Sequence, residues 1–371
     1  MVNPVRPRMI LLVRRLVLLF VVSNGLLWDI VGCRDNVLQP DPIPASVQGA
    51  YILCEGLWRQ DNATLSKVDE ASGMVTNDVF ARVNVGLRIG DTANNMVLKG
   101  DTLFVVVSTS RSIEILRASS GVSLGRIRLP QMGQEPRKMV IVNDTTAYIS
   151  NLDDSITEIN PRTFTVRTAR IAVGPAPEGI AATSQYVVVA NSGFGDFRAT
   201  EPKAGTLSLV DLTTRREVRT ISGLPNAGDV MTNRSRTRLY AAYRHLPMLR
   251  DSLGGIVEFD AATLQELRRW RMKSPSSLNF SSTGDTLFYL GDSGVEMLAL
   301  RASDAKPTVA IRRTEMNEFW YGLAVHPRSS ALWICNARDF STNGEVIVRR
   351  VDGTIVRRFD VGINPNTVVF F

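Results

Sequence analysis

The stretch Gly174-Pro175-Ala176-Pro177-Glu178-Gly179-Ile180, followed by Tyr186-Val187-Val188-Val189, decides the fold. A proline-bearing polar phrase leads into an aliphatic strand, a short turn follows, and a β-branched run of the kind buried in a sheet comes next. The phrase recurs at Asn94-Asn95-Met96, Arg137-Lys138-Met139, Gly228-Asp229-Val230, Ser276-Ser277-Leu278, Tyr321-Gly322-Leu323 and Asn366-Thr367-Val368, and Pro136, Pro177, Pro275 and Pro365 stand at its head in four copies. Successive copies lie 43, 41, 50, 48, 45 and 45 residues apart. That period belongs to a propeller blade of four short strands.

Working outward, each phrase is followed by a second strand, at Thr102 to Val107, Thr146 to Ile149, Tyr186 to Val189, Leu239 to Ala242, Thr286 to Leu290 and Leu332 to Ile334. A third strand often closes on an acidic or amide residue, as in Leu209-Val210-Asp211, Glu258-Phe259-Asp260 and Ile159-Asn160. Helical periodicity is nowhere sustained. The chain's first strand, Tyr51-Ile52-Leu53-Cys54, matches the second strand of a blade, and the missing innermost strand is the last one, Thr367 to Phe371. The pattern therefore predicts an all-β, seven-bladed propeller of four-stranded antiparallel blades over residues 49–371, closed by the C-terminal strand completing the first blade.

The N-terminus has its own pattern. Arg6, Arg8, Arg14 and Arg15 precede or flank an apolar run from Leu16 to Val22, and the segment ends in Ile30-Val31-Gly32-Cys33. The run is interrupted by Ser23, Asn24 and Gly25, too soon for a transmembrane helix of about 20 apolar residues. Residues 1–32 are expected to be a lipoprotein signal peptide, since the last four residues resemble a bacterial lipobox, with Cys33 the lipidated residue and 33–48 a Pro-containing linker. Removing that segment takes away four Arg and one Asp, so the formal charge falls from +7 to +4. The remaining basic pairs, such as Arg215-Arg216 and Arg349-Arg350, are scattered. A nucleic-acid partner would leave a concentrated basic stripe with interleaved aromatics, and none is present.

The phrase Gly174 to Ile180 and the following Val189-Ala190-Asn191-Ser192-Gly193 resemble the YncE-like seven-bladed propellers. The opening Tyr51-Ile52-Leu53-Cys54-Glu55-Gly56-Leu57-Trp58, with Gly90-Asp91-Thr92-Ala93-Asn94-Asn95-Met96, resembles their surface-lipoprotein branch common in Bacteroidetes-type bacteria. The resemblance covers residues 49 to 371. It implies a cell-envelope, outer-membrane lipoprotein, periplasmic or surface-exposed; some members of that branch capture corrinoids beside an outer-membrane transporter. Arg34 directly after Cys33, where Asp would direct retention, favours outer-membrane sorting by the same resemblance.

The loops entering the first strand and those joining strands two and three emerge on one face. There they are long and rich in Gly, aromatics and amides, as in Asn191 to Ala204, Arg244 to Leu253 and Asn336 to Asn343, whereas the opposite face has tight turns such as Lys99-Gly100-Asp101. The candidate ligand site is the long-loop mouth, with Trp58, Arg59, Asn95, Arg137, Glu178, Asn191, Phe194, Phe197, Arg244, His245, Trp320, Tyr321, Arg338, Asp339 and Asn366 around the central channel. Aromatic faces flanked by Arg and amides suit a small molecule with flat apolar and polar parts, or an outer-membrane protein partner.

Catalytic and metal chemistry have little to draw on. The chain holds two His and three Cys, too few for a zinc centre, a haem ligand set or a disulfide framework, and no loop carries the alternating acidic pattern of a calcium site. Cys54 and Cys335 are expected to be buried thiols, and His326 a structural turn residue. No cofactor, metal or catalytic residue is assigned. The leading expectation is a monomeric, lipid-anchored binding protein. A propeller hydrolase or lactonase using Glu178, Arg244 and His245 is the enzymatic alternative, and a structural surface protein a third.

Overall fold

A computed structural model describes residues 45–248, 252–315 and 318–371; the signal, Cys33 and most of the linker lie outside them. Among the described residues the strands assort into seven sheets of four, each antiparallel and, except in the first blade, built from consecutive strands. The innermost strands are Ala93–Lys99, Pro136–Asn143, Pro177–Ala182, Ala227–Thr232, Ser276–Phe280, Trp320–Val325 and Pro365–Phe370. Each begins at or just before one copy of the repeated phrase. We number the blades 1 to 7 from the one containing Gly49–Cys54, so that these inner strands belong to blades 2, 3, 4, 5, 6, 7 and 1.

Every blade is covered on both faces by its neighbours, which explains why second strands read as unbroken apolar runs. Leu103, Val105, Val106 and Val107 in blade 2 and Val187, Val188, Val189 and Ala190 in blade 4 are wholly buried. The core is accordingly divided into seven clusters, one at each interface between adjacent blades. Fully burying a Val or Leu side chain contributes about 1.5–3 kcal/mol, so each interface is a substantial core. A short α-helix, Val79–Val83, tucks Val79 and Phe80 against the cluster between blades 1 and 2; at five residues it is too short to leave a helical period in the sequence.

Closure is as expected. Pro365–Phe370 pairs with Gly49–Cys54 from Ala50↔Phe370 to Cys54↔Pro365, and the amides of Gln48 and Phe371 extend the ladder by 2.7 and 3.0 Å bonds to Phe371 and Gly49 carbonyls. Cys54 and Cys335 are both free and buried, and burial pushes the Cys54 thiol up to about 12. His326 is a buried turn residue whose Nδ1 accepts the amides of Arg328 and Ser329.

Two inner-strand glycines mark where neighbouring backbones touch. A Cβ on Gly322 of blade 7 would lie 2.1 Å from the Asn366 carbonyl oxygen of blade 1, and one on Gly179 of blade 4 would lie 2.5 Å from the Gly228 carbonyl oxygen of blade 5. Neither contact is a flexible side-chain end. Replacing Gly322 by Ala is therefore expected to destabilise the ring by about 1–3 kcal/mol, read as a lower midpoint in chemical denaturation. An unchanged midpoint would show that blades 7 and 1 do not meet backbone to backbone.

Candidate functional site

All seven inner strands carry a register shift at the repeated phrase, at Ala93/Asn95, Pro136/Met139, Pro177/Ile180, Ala227/Asp229, Ser276/Asn279, Trp320/Gly322 and opposite Leu53/Cys54. A bulge withdraws backbone groups from the ladder and re-aims side chains. Here it turns the polar residues of each phrase toward the channel mouth. The freed amides find partners nearby: Met139 N donates to Asn95 Oδ1 (3.1 Å), Lys138 N to Ser150 Oγ (3.1 Å) and Ser277 N to Asp229 Oδ2 (2.6 Å).

The result is a belt of contacts around the ring. Asn366 Nδ2 donates to the Ala93 carbonyl (2.9 Å), Ser150 Oγ to the Glu178 carbonyl (2.6 Å) and Asn279 Nδ2 to the Leu323 carbonyl (2.8 Å). Within it lies a cavity of about 560 Å³ bordered by inner-strand residues of all seven blades. Seven of the expected residues meet there: Asn95, Arg137, Glu178, Arg244, Trp320, Tyr321 and Asn366. Arg137 donates to Glu178 Oε2 (3.1 Å) and Asn94 Oδ1 (2.9 Å). The Tyr321 hydroxyl donates to Glu55 Oε2 (2.7 Å).

The other eight do not border this cavity. Asn191 is wholly buried, its Nδ2 donating to Thr206 Oγ1 and Ser208 Oγ at 2.8 Å each; it ties the base of its loop and is closed to a ligand. His245 Nδ1 is held by the Ser252 carbonyl and hydroxyl (2.6 and 2.8 Å). Asp339 accepts the amides of Ser341 and Thr342 and so caps its own turn, and Arg338 is fixed by Asp360 (2.6 Å). Phe194 and Phe197 contact each other as tilted rings at 5.6 Å in the blade 4 loop, 49% and 86% exposed. Arg59 lies over the Trp58 ring at 4.2 Å on the blade 1 loop. Long loops carry these residues outward, so loop membership in the sequence overstates nearness to the channel. His245, Glu178 and Arg244 make no hydrogen bond to one another, His245 being committed to Ser252 and Glu178 to Arg137.

Sequence reasoning passed over Asn94, Lys138, Asp229, Ser276 and Ser277 among the lining residues, and Glu55 beside them. The repeat register itself could have supplied them, since they occupy the first two places of the phrase or the end of a second strand. Lys138 of blade 3 forms an ion pair with Asp229 of blade 5 across the mouth. Burial alone would raise the Asp229 carboxyl, but Lys138, the nearby Arg244 and the Ser277 amide together hold it below the usual range. Glu55 differs: burial raises it, outweighing the Tyr321 hydrogen bond and the Arg137 charge. Among the described residues no cluster of three or more His, Cys, Asp or Glu could hold a metal, and no helix is long and apolar enough to cross a membrane.

Fold and mouth together define a seven-bladed β-propeller with a prebuilt polar rim. A family model described as a domain of unknown function, DUF5074, matches residues 48–236, just over half of the chain, and the chain belongs to that family. No curated protein matches. Among solved structures the chain is similar to a quinoprotein alcohol dehydrogenase-like protein of Bacteroides thetaiotaomicron (TM-score 0.67, 15% identity, 87% of this chain and 78% of that one). It is also similar to a protein of Bacteroides uniformis described as a candidate 6-phosphogluconolactonase (0.59, 12%, 87% and 100%) and to hydrazine synthase of Kuenenia stuttgartiensis (0.57, 15%, 72% and 85%). At such identities these likenesses show the fold alone.

The two carboxyls predict opposite pH dependences. A carboxyl raised on folding binds more protons in the folded than in the unfolded state, so its contribution is lost as pH rises; a depressed one contributes above its unfolded pKa and loses that as pH falls. Glu55→Gln is therefore expected to gain stability relative to the parent as pH climbs above the carboxylate range. Asp229→Asn is expected to lose on the order of 1–3 kcal/mol at neutral pH, the deficit shrinking in acid. Denaturation midpoints of both variants from acid to neutral pH check this; parallel curves would sink the assignment.

Proposed function

We propose that this protein is a lipid-anchored cell-envelope binding protein of the YncE-like lipoprotein branch, holding a small molecule in the long-loop mouth of its propeller. The observation that carries this is the cavity of about 560 Å³, of the size that accommodates small ligands, several of whose lining side chains, Arg137, Asp229 and Asn366 among them, are already fixed by bonds between blades. Groups ordered in advance lose little conformational freedom when a ligand arrives. A scaffold of seven interlocked sheets holds the strands that carry the rim in register, which suits retention of a ligand.

The anchor part of the proposal is supported by Ile30-Val31-Gly32-Cys33 and by Arg34, which fits outer-membrane sorting. Handing a ligand to an outer-membrane protein partner, and a corrinoid-like ligand as one candidate, follow from the lipoprotein resemblance. The mouth itself asks only for a ligand with polar edges, given its polar belt, and an apolar face against Trp320 and Tyr321.

The test of the mouth is native mass spectrometry of the mature protein after exposure to extracted cell metabolites. A compound retained by the parent should be lost from Trp320→Ala and Tyr321→Ala and kept by Trp58→Ala, whose side chain is 65% exposed outside the cavity. Retention by both of the first two variants would put the ligand elsewhere. Separately, Cys33→Ser is expected to abolish incorporation of a labelled fatty acid and move the protein from the membrane to the soluble fraction; continued labelling would remove Cys33 as the anchor.

A further inference from the structure

The first place of the repeated phrase holds Asn94, Arg137, Glu178, Ser276, Tyr321 and Asn366 in six blades and Gly228 in blade 5. Gly228 does not adopt the left-handed conformation, so its backbone alone does not require glycine. What occupies the space is the guanidinium of Arg244: a Cβ on Gly228 would lie 2.9 Å from one terminal nitrogen and 3.3 Å from the central carbon. Arg244 follows the second strand of the same blade, Arg238–Tyr243, and its amide is held by the carbonyls of Pro225 and Asn226, immediately before the inner strand. The fold thus delivers an arginine head over a glycine to the cavity wall.

Among the described residues that head has no hydrogen-bond or ion-pair partner. Of the three cations bordering the cavity, Arg137 is paired with Glu178 and Lys138 with Asp229; Arg244 makes no side-chain hydrogen bond or ion pair among the described residues. Asp229 is near enough to feel its charge, but that carboxylate is already engaged by Lys138 and by the Ser277 amide. On the neighbouring inner edge, Ser274, Ser276 and Ser277 also border the cavity, half-buried, and none of their hydroxyls has a partner among the described residues. Beyond them along the ring stand Trp320 and Tyr321. Guanidinium and hydroxyl donors whose one neighbouring carboxylate, Asp229, is already engaged by Lys138 and the Ser277 amide match an oxyanion, which a guanidinium binds through paired, charge-assisted hydrogen bonds.

We propose that Arg244, with the hydroxyls of Ser274, Ser276 and Ser277, forms an anion subsite, and that the mouth selects small organic anions whose carboxylate or phosphate sits at Arg244 while the body reaches Trp320 and Tyr321. This rests on the mouth being the binding site and adds the chemical class of what it takes. Gly228 is the enabling residue, because any side chain there would displace the guanidinium.

Ligand-observed NMR with benzoate, phenyl phosphate and the neutral analogue benzamide tests it. The parent is expected to bind at least one of the two anions about tenfold or more tightly than benzamide, the span of one charge-assisted hydrogen bond, and the better anion shows whether the subsite prefers carboxylate or phosphate. Arg244→Gln, at an exposed position, should keep the parent's melting temperature and lose the preference, Arg244→Lys should keep part of it, and Gly228→Val, which moves the guanidinium without removing it, should lose it as Arg244→Gln does. Absence of anion binding, equal binding of benzamide, or a preference that survives Arg244→Gln would overturn the subsite. A neutral metabolite retained by the parent and lost from Tyr321→Ala would leave the mouth as the binding site while removing Arg244 from ligand selection.

Discussion

The pairing of Pro365–Phe370 with Gly49–Cys54 is the constraint on which everything else rests. Seven similar wedges make a ring only if the last meets the first, and here the meeting joins residues more than 300 apart in the chain. Loop-closure entropy grows only slowly with length, but it must be offset by contacts made where the ends meet. The terminal aromatics provide them on both sides. Phe370 meets the rings of His326 and Trp333 edge-on at 5.0 and 5.2 Å, facing blade 7, while Phe371 lies 4.9 Å from Tyr51, whose hydroxyl reaches the Ala118 carbonyl of blade 2. The closing strand therefore binds three blades together and removes an open sheet edge that would invite aggregation.

Closure also explains why the mouth is polar. Inner strands converge on the axis, where there is no room for seven apolar side chains at the rim and none to cover them. The repeated bulge resolves this by turning polar groups inward and giving the backbone amides it frees to neighbouring side chains, as with Asn95 for Met139 and Asp229 for Ser277. A second cavity of about 450 Å³, bordered like the first by Val230 and Met231, is lined by Val97, Ile141 and Ile180 where the strands run regularly and by Lys99, Asn143, Thr232 and Arg236 at their far ends. Aliphatic residues thus enter the lining only at or past the register shifts, and polar ones return at the strand ends.

The architecture was legible in the sequence because it repeats: a phrase recurring every 41 to 50 residues carries its own internal control, and Tyr51-Ile52-Leu53-Cys54 at the wrong place in the blade pattern revealed the shared first blade. The site was less legible. Arg137, Glu178, Tyr321 and Asn366 could be placed because they belong to the phrase. Asn191, Phe194, His245 and Asp339 were grouped with them as residues of long loops, yet a loop spends its polar groups first on its own turns, as the bonds of Asp339 to Ser341 and Thr342 show. Lys138 and Asp229 were in view as punctuation of the repeat; their pairing across two blade interfaces cannot be read from a spacing of 91 residues.

That pairing depends on an absence of atoms. Lys138 in blade 3 and Asp229 in blade 5 occupy the second place of their phrases, and the intervening blade 4 has Gly179 there. With no side chain, Gly179 lets the inner strands of blades 4 and 5 approach until their backbones touch, which draws Asp229 toward blade 3 and clears the path for the lysine. A larger residue would push blade 5 outward and stand in the way of the ion pair. The lysine charge would then be left in the mouth beside Arg244, which itself forms no ion pair among the described residues. Gly179 and Gly228, adjacent across one interface, therefore set the charge pattern of the rim through the space they leave: the first neutralises Lys138 by admitting its partner, and the second admits an arginine that has no ion-pair partner among the described residues.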